Sequence, residues 1–510
     1  MTKPRAGLAA WFIPDLAAAG SLAALLYCLL LFQGYQKLFR DSDTGWHIRT
    51  GEAILVTHAL PHTDSYSFTL PGSPWFAWEW GSDVLMAAAH RALGLTGVAI
   101  LYSGAIAIAV WLWFHLHWRA GGDFLLACIL AAPMLSTSNI HWLARPHVFS
   151  WLFLLAAVWW AEGKHERFGW RDAAVAGAGT LLWANVHASF FFAPLIALLY
   201  AFGHCLRPLI WDLDRAAERI RRSWFFAVAG VTAAASFVNP YGWHLHRHLF
   251  AYLTDSELLA RVGEFQSFNF HAEGAAQILV ALGVAILGTV LLLGERRLGA
   301  FLLSVLLIAS ALRSARTLPV VALLLLPLAN GAIRRALSGL TGLRPTVRTS
   351  LDAALSYSAR LRSLDAGLGG LALMPLPVVM IFGFLFIPSV RARTGFPADQ
   401  FPVAAAGAME RLVPEQARVL APDKFGGYLI YRFGGKRKVF FDGRSDLYGA
   451  AFMKRYARLM QVRPGWEKDL DEFAIGYALL PNDYSLAGEL ERMKWKQLYR
   501  DDVATLFSRP

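Results

Sequence analysis

Cysteine is scarce in this sequence of 510 residues: Cys28, Cys128 and Cys205 are the three present, and no two of them form a CxxC pair. The sequence therefore indicates neither a disulfide framework nor a cysteine-rich metal site. Charge is also scarce, since 16% of the residues are charged and 56% are hydrophobic, with a mean hydropathy of +0.42. Soluble proteins of this length carry more charge. The composition therefore predicts a protein that crosses a membrane several times.

The apolar runs have lengths suited to membrane-spanning helices, which need about 20 residues each. We predict an α-helical polytopic membrane protein with about eleven transmembrane helices, several of them short, at residues 16–36, 96–116, 124–139, 147–161, 173–184, 188–204, 223–238, 274–294, 299–312, 318–331 and 371–390. The stretch LLWANVHASFFF leaves two possibilities, because the chain either turns at Asn185 or continues as one helix. The first run is too long for a signal-peptide core and lacks a small-residue cleavage site, so we expect it to remain as an anchor.

The net charge of +12 comes from short clusters of Lys and Arg between the apolar runs. This pattern orients a membrane protein and does not indicate nucleic-acid binding. With the N-terminus in the cytoplasm, the inner loops carry 19 Lys and Arg, and the outer loops up to residue 317 carry nine. The positive-inside rule therefore supports eleven spans and predicts that residues 391–510 lie on the outer side.

Residues 391–510 differ from the rest of the chain, because they carry 20 Lys and Arg and 15 Asp and Glu and contain no run long enough to span a membrane. We predict a small extramembrane α/β domain here, after a transmembrane domain of residues 1–390 whose outer loop, residues 40–95, carries interfacial helices. The segment GGYLIYRFGGKRKVFFDGRSDLYG is typical of strand, Gly-Gly turn, strand and loop, and EFAIGYALLPND and VATLFSR are typical of one strand each. On the inner side, residues 332–370 are predicted to form an amphipathic surface loop.

Nearly all of the unusual polar residues fall on the predicted outer side, beside the ends of apolar runs. They are Asp41, Asp43, His47, Arg49, Glu79, Trp80, Asp83, His141, Arg145, His147, Asn185, His187, Asn239, Tyr241, Glu264, Arg313 and Arg316. Ionisable groups at membrane depth cost about 2.5–3.5 kcal/mol each, so a one-sided collection predicts an enclosed polar site. The alternative is that the outer loops are simply polar.

The pair Asp41-Ser-Asp43 follows directly after the first apolar run. A carboxylate held near an apolar wall can act as a general base for an acceptor hydroxyl, while its neighbour orients the acceptor or a cation. We therefore take Asp43 and Asp41 as candidate catalytic residues. The alternative is structural, because Asp43 has the right spacing to cap a helix over residues 45–56.

The segment PWFAWEWGSDVLMAAAHRALG predicts a helix along the outer interface, with Trp78 and Trp80 at its start. Glu79 either complements the helix dipole or holds a sugar hydroxyl while the tryptophans stack on the ring. We assign substrate binding to a set of polar and aromatic residues of the outer loops. The set is Trp46, His47, Glu79, Trp80, His141, His147, His187 and Glu264.

Arg145, Arg313 and Arg316 lie in short outer turns, where the sequence leaves them little room to solvate freely. A guanidinium suits phosphate, because its fork matches two oxygens and its charge is permanent. We predict that these three arginines bind phosphate, and snorkelling toward lipid headgroups is the alternative for each. The outer histidines could bind a metal in principle, but their spacing matches no zinc pattern and is more typical of packing groups.

Together, an acidic pair after the first membrane helix, an interfacial helix in the first outer loop, about a dozen spans and an outer C-terminal domain resemble the C-type glycosyltransferase superfamily. The motifs DSDTGWHIRTGEAIL, PHTDSYSFT, PWFAWEWGSDVL, ARPHVFS, VNPYGWHLH, GEFQSF, RSARTLPVVALLLLP and FGGYLIYRF…VFFDGRSDLYG resemble a group of bacterial membrane proteins. The resemblance implies that Asp43 or Asp41 is the base and that the arginines hold a lipid phosphate. Many superfamily members carry an acidic pair in a later outer loop, where only Glu264 stands here, so we assign no metal or other cofactor.

The resemblance implies an inverting glycosyltransferase of the bacterial inner membrane, with a polyprenyl-phosphate sugar as donor and a glycan, lipid or protein as acceptor at the periplasmic face. One alternative is a flippase or other transporter of lipid-linked glycans. Transporters usually show paired repeats and helices broken at the midplane, and the sequence shows neither. The other alternative is a non-catalytic subunit of an envelope polysaccharide assembly system.

Overall fold

The computed structural model describes residues 8–510 and is mainly helical. Its α-helices are α1 (Leu8–Phe12), α2 (Leu16–Leu29), α3 (Gly34–Lys37), α4 (Asp43–Thr57), α5 (Trp80–Leu93), α6 (Leu95–Arg119), α7 (Phe124–Asn139), α8 (His147–Ala161), α9 (Trp170–Val186), α10 (Phe192–Ile210), α11 (Arg215–Ala235), α12 (Trp243–Thr254), α13 (Ser256–Leu259), α14 (Ala275–Gly294), α15 (Leu298–Arg313), α16 (Leu318–Gly339), α17 (Pro345–Asp365), α18 (Leu376–Phe386), α19 (Pro388–Arg391), α20 (Val403–Leu412), α21 (Asp423–Arg432), α22 (Ser445–Met460), α23 (Trp466–Glu472) and α24 (Ser485–Arg492). The strands are β1 (Val419–Leu420), β2 (Tyr477–Pro481), β3 (Lys496–Arg500) and β4 (Ala504–Ser508).

Each of the eleven segments predicted to span the membrane contains a helix. Among the residues described, five helices are long and apolar enough to cross a membrane: Ala10–Leu29, Leu95–Arg119, Ala188–Ile210, Ala275–Gly294 and Ala315–Gly339. Helices α7, α8, α15 and α18 are apolar but shorter, and the two remaining segments lie within α9 and α11. The helical membrane architecture is therefore confirmed, and the count of eleven spans stays a prediction.

The outward faces of the long helices are apolar. On α14, the side chains of Leu279, Leu287 and Val290 are 50–62% exposed. Large exposed apolar side chains in contiguous rows are unusual on a soluble protein and suit a lipid environment. Helices α6 and α16 are the most buried of the long helices and form the centre of the bundle.

The chain turns between the fifth and sixth predicted spans. Helix α9 ends at Val186, and His187 adopts an extended backbone conformation (φ −158°, ψ 145°) before a short 3₁₀ helix, Ala188–Phe191, leads into α10. The N–H of Ser189 donates to Nδ1 of His187, so that side chain satisfies a backbone group at the break. LLWANVHASFFF therefore belongs to two helices, and His187 marks the turn.

The residues that follow 391 form a small α/β domain around a four-stranded sheet with the order β1-β2-β4-β3. Strand β1 runs parallel to β2, and β4 runs antiparallel to both β2 and β3. The strands predicted in EFAIGYALLPND and VATLFSR correspond to β2 and β4 and are confirmed.

The predicted hairpin around GGYLIYRFGGKRKVFF is wrong, because its first half is helix α21. Gly434 and Gly435 do form a turn, with φ of 61° and 72°. Val439 then pairs with the outer loop, since its N–H donates to the carbonyl of Tyr66 at 2.9 Å and its carbonyl accepts from Phe68 at 3.1 Å. The apolar residues after the turn therefore find their partner in a distant segment.

The prediction of a surface loop over residues 332–370 is also wrong. Helix α16 continues to Gly339, and α17 occupies residues 345–365. Pro345 at the first helical position suits a helix start, because its missing N–H would have no partner there. The segment is mostly helical, and most of α17 is exposed.

The C-terminal domain and the outer loop of residues 40–95 share one hydrophobic core. Trp46 and Trp75 of the loop pack in the same buried cluster as Phe401 and Phe425 of the domain. Helices α4 and α21 meet backbone to backbone: a Cβ on Gly45 would lie 2.1 Å from the carbonyl oxygen of Gly427. The helix that begins with Asp43 is therefore held in place by the C-terminal domain.

Candidate functional site

A cavity of about 1100 Å³ lies between the ends of the membrane helices and the C-terminal domain. Of the candidate residues, twelve line it: Asp41, Asp43, Trp46, His47, Glu79, His141, Arg145, His147, His187, Glu264, Arg313 and Arg316. Trp80 is the exception, because its Nε1 donates to Oδ1 of Asn185 at 2.9 Å, away from the lining. The polar residues at the ends of separate apolar runs thus line one common cavity.

Arg145 lies at the centre of three carboxylates. Its Nη1 donates to Oδ2 of Asp41 at 2.9 Å and also to Oε1 of Glu264, and its Nη2 lies 2.8 Å from Oδ2 of Asp43. The exposed fractions of the four side chains are 14% for Arg145, 21% for Asp41, 26% for Glu264 and 10% for Asp43. Such charge-assisted bonds are strong where water is excluded, so the cluster fixes the direction of each carboxylate.

The helix-cap interpretation of Asp43 does not hold. Asp43 is the first residue of α4, the N-cap is Ser42, and no cap bond from a side chain is formed there. The carboxylate of Asp41 accepts from the N–H of Asp43 at 2.9 Å and thereby satisfies one free donor of the helix start. Asp43 is left to face Arg145 and the cavity.

The two ends of the cluster differ in their electrostatics. Burial raises the pKa of Asp43 to about 7, although the charge of Arg145 opposes the shift. Glu264 is partly buried, which raises its pKa, but the charges of Arg145 and Arg316 outweigh that effect and hold the pKa of Glu264 well below its usual range. Asp43 can therefore exchange a proton near neutral pH, whereas Glu264 stays ionised.

The C-terminal domain approaches Asp43 through a glycine. A Cβ on Gly443 would lie 1.8 Å from Oδ1 of Asp43, so any side chain at that position would displace the carboxylate. Gly443 lies in the FDGRSD segment, between the buried Phe441 and helix α22. This glycine is thus a wall of the cavity.

Glu79 belongs to a second buried polar network. Its Oε1 lies 3.2 Å from Nε2 of His187, and its Oε2 lies 3.9 Å from Nε2 of His47, whose Nδ1 lies 2.6 Å from Oδ1 of Asp83. Burial raises the pKa of Glu79 to about 7, against the charges of Arg316 and Arg145. The Glu79 side chain forms no helix-cap bond, and it lines the cavity.

The other histidines are tied to neighbouring groups. His147 Nε2 lies 2.9 Å from the carbonyl oxygen of His141, and His187 Nδ1 lies 2.7 Å from Oγ of Ser150. Over residues 8–510, no group of three or more His, Cys, Asp or Glu side chains is arranged to hold a metal ion. These two histidines therefore each have a polar neighbour within hydrogen-bond distance, and their assignment to substrate binding stays a prediction.

The three predicted phosphate-binding arginines have different partners. Arg145 is surrounded by three carboxylates, and Arg316 lies 3.2 Å from Oε2 of Glu264. Arg313 has no ion pair with any residue in the described part of the chain, and it lines the cavity. Arg313 therefore offers a guanidinium whose charge is not already neutralised.

Sequence reasoning missed the contribution of the C-terminal domain. Lys424, Arg444, Ser445 and Asp446 line the cavity, and Asp446 Oδ2 lies 3.3 Å from Nε2 of His248. The available signal was FDGRSDLYG, a glycine flanked by charged residues. This motif alone does not indicate that the segment lies beside Asp43, which is about four hundred residues earlier in the chain.

No protein-family model and no curated protein matches the chain. Among solved structures, the chain is similar to the archaeal oligosaccharyltransferase AglB from Archaeoglobus fulgidus in complex with an inhibitory peptide and a dolichol-phosphate. The TM-score is 0.57 at 11% identity, covering 91% of this chain and 69% of that chain. The apo form of the A. fulgidus oligosaccharyltransferase gives a TM-score of 0.56 with the same identity and coverage. ArnT from Cupriavidus metallidurans bound to undecaprenyl phosphate gives 0.42 at 13% identity, covering 97% of both chains. At such identities the likeness to the oligosaccharyltransferase concerns the fold.

Proposed function

We propose that this chain, which has the fold of the C-type glycosyltransferases, transfers a sugar from a polyprenyl-phosphate donor to an acceptor hydroxyl in the cavity. The observation that carries the proposal is the pairing of two groups in one cavity. Asp43 is a buried carboxylate with a pKa of about 7, and Arg313 is a cation without a carboxylate partner among the described residues. One group suits a proton acceptor and the other suits a phosphate.

The proposed reaction is a displacement at the anomeric carbon of the donor sugar. The acceptor oxygen forms a bond to that carbon and gives its proton to Asp43, while the bond from the carbon to the phosphate oxygen breaks. The electron pair leaves with the lipid phosphate, whose charge Arg313 and Arg316 stabilise. Attack from the face opposite the leaving group inverts the anomeric configuration.

The comparison with the oligosaccharyltransferase supports a lipid-phosphate ligand in general terms, because that structure is a complex with a dolichol-phosphate. The apolar outward face of the bundle supports a lipid carrier that reaches the cavity from the membrane. The location on the periplasmic side rests on the distribution of Lys and Arg between the loops. A reporter that works only in the cytoplasm, fused after residue 395, should be inactive.

The test of the proposed function uses purified full-length protein and a set of radiolabelled polyprenyl-phosphate hexoses and pentoses. We expect label to leave one of these lipids in a protein-dependent manner when a membrane extract supplies acceptors. The matched control is Asp43→Asn, which keeps the shape of the side chain but cannot take up the proton. Label that stays on every donor with the wild-type protein would contradict the proposal.

A further inference from the structure

Three carboxylates from two distant segments converge on the guanidinium of Arg145. Asp41 and Asp43 stand at the start of α4, and Glu264 lies in a 3₁₀ turn more than two hundred residues later. Three ionised carboxylates this close repel one another, and the repulsion is strong where the local dielectric constant is low. A positive charge at their centre is therefore required if all three are to stay together.

The geometry shows how the guanidinium meets this requirement. Nη1 donates to both Asp41 and Glu264, and Nη2 lies 2.8 Å from Asp43. A guanidinium is planar and has several donors in fixed directions, so it fixes the three carboxylates relative to one another. Carboxylate oxygens are also the ligands that hard divalent cations prefer.

The backbone that carries Arg145 is itself tied to the segment that carries the two aspartates. The hydroxyl of Thr44 donates to the carbonyl of Ala144 at 2.9 Å, and the N–H of Ala144 donates to the carbonyl of Leu38 at 2.8 Å. Thr44, Ala144 and Leu38 are buried. Two buried hydrogen bonds thus flank the ion pairs, so Arg145 and Asp43 keep one relative position.

We propose that Arg145 is a positioning residue that serves as a built-in cation: it occupies the centre of Asp41, Asp43 and Glu264 and holds Asp43 by one oxygen. Its role in catalysis rests on the proposed function of the cavity, whereas its role as a cation does not. The donor phosphate is then left to Arg313 and Arg316. The further consequence is that removing the guanidinium frees three carboxylate groups to turn toward a common centre, where they can bind a hard divalent cation.

The test measures Mn²⁺ binding to the purified full-length protein by electron paramagnetic resonance, with no sugar donor present. We expect no bound Mn²⁺ at this position in the wild-type protein and about one bound ion per chain in Arg145→Ala. The matched control is Arg40→Ala. Arg40 also lines the cavity, but its Nη2 contacts the carbonyl oxygens of Asn139 and Ile140, so its loss should create no such site.

A second variant keeps the proposal testable if Arg145→Ala does not fold. Arg145→Lys retains the charge but lacks the planar fork that holds the three carboxylates in fixed directions. We expect kcat to fall about 10- to 100-fold, as when other orienting groups are lost, with little change in the KM for the donor. A purely structural role would lower the melting temperature and leave kcat per folded molecule unchanged.

Mn²⁺ bound at this position in the wild-type protein, or a folded Arg145→Ala variant that binds no more Mn²⁺ than the wild type, would overturn the proposal. An unchanged kcat in Arg145→Lys would do the same. These outcomes are distinguishable from failure of the proposed function, because the Mn²⁺ measurement needs no sugar transfer. Label retained on all donors, together with Mn²⁺ binding by Arg145→Ala alone, would retain the built-in cation and reject the transferase.

Discussion

Two arginines of this protein are each surrounded by carboxylates, and their surroundings differ. Arg444 donates to Asp442 at 2.8 Å and to Asp64 at 2.7 Å, and these three side chains are 0–1% exposed. Arg145 faces three carboxylates that are 10–26% exposed and line the cavity. A closed cluster of this kind keeps segments together, whereas an open cluster with excess negative charge can also exchange protons and bind ligands.

The Arg444 cluster also has aromatic walls. The guanidinium lies 4.7 Å from the ring centre of Trp75 and 5.2 Å from that of Tyr66, both in the outer loop. Asp64 belongs to the same loop, so the cluster joins the C-terminal domain to it. The Arg444 cluster thus joins the C-terminal domain to the outer loop, and the Arg145 cluster lines the cavity.

The largest expected effect concerns turnover. Asp43→Asn should lower kcat by about 10²- to 10⁴-fold, the usual contribution of a general base, while thermal stability stays close to that of the wild type. Asp41→Asn is the control that shows which carboxylate accepts the proton. Label release from the donor measures turnover, and wild-type rates in both variants would mean that the open cluster is structural like the closed one.

The next effect concerns stability in the other cluster. Arg444→Ala leaves the buried carboxylates of Asp64 and Asp442 without their cation, and breaking such a buried ion pair costs about 3–5 kcal/mol. We expect a lower melting temperature in detergent and faster proteolysis at the junction between the domain and the outer loop. Arg509→Ala is the matched control, because Arg509 pairs with Asp471 on the surface of the same domain. Equal stability of the two variants would remove the distinction between closed and open clusters.

Gly443 connects the two clusters. It stands between Asp442 and Arg444 in the chain, and its Cα faces the carboxylate of Asp43. Gly443→Ala should lower kcat by about 10²-fold, because an added methyl group displaces the carboxylate from its productive position. Gly488→Ala is the matched control in the same domain, since a Cβ there meets no atom within 4 Å. Equal turnover in both variants would contradict the close approach.

The sequence predicted the parts of this arrangement that depend on local pattern. Apolar runs marked the helices, and polar residues at their ends marked the side of the cavity. It could not predict that Gly427 serves close packing, because the reason is a contact with Ser42 and Gly45, nearly four hundred residues away. Nor could it show that Arg145 is neutralised while Arg313 is not, since Glu264 reaches Arg145 only in the folded chain.

Arg313 represents a third environment, a cavity cation with no carboxylate partner among the described residues. Arg313→Ala should weaken binding of the lipid phosphate by about 1.5–3 kcal/mol, the cost of losing a charge-assisted contact, and Arg313→Lys should restore part of it. Arg344→Ala is the control, because Arg344 precedes α17 and is not among the residues that line the cavity. An unchanged affinity for the lipid phosphate would instead support the alternative that Arg313 extends toward lipid headgroups.

The smallest expected effect is a shift in the pH dependence of transfer. Because burial raises the pKa of Asp43 to about 7, the base is protonated below that pH, and the rate should rise as pH increases through 7. The negative charge of Glu264 contributes to this raised pKa, so Glu264→Gln should move the rising limb to lower pH by less than about one unit. The free energy of unfolding should change with pH in the opposite direction to the rate. A carboxyl group with a raised pKa stabilises the folded state at low pH, and that contribution is lost as pH increases through 7. Rate profiles of both proteins between pH 5 and 9 measure the shift. A limb that moves to higher pH in Glu264→Gln would show that Glu264 acts mainly by holding Arg145 against Asp43, and that its charge does not act on Asp43 directly.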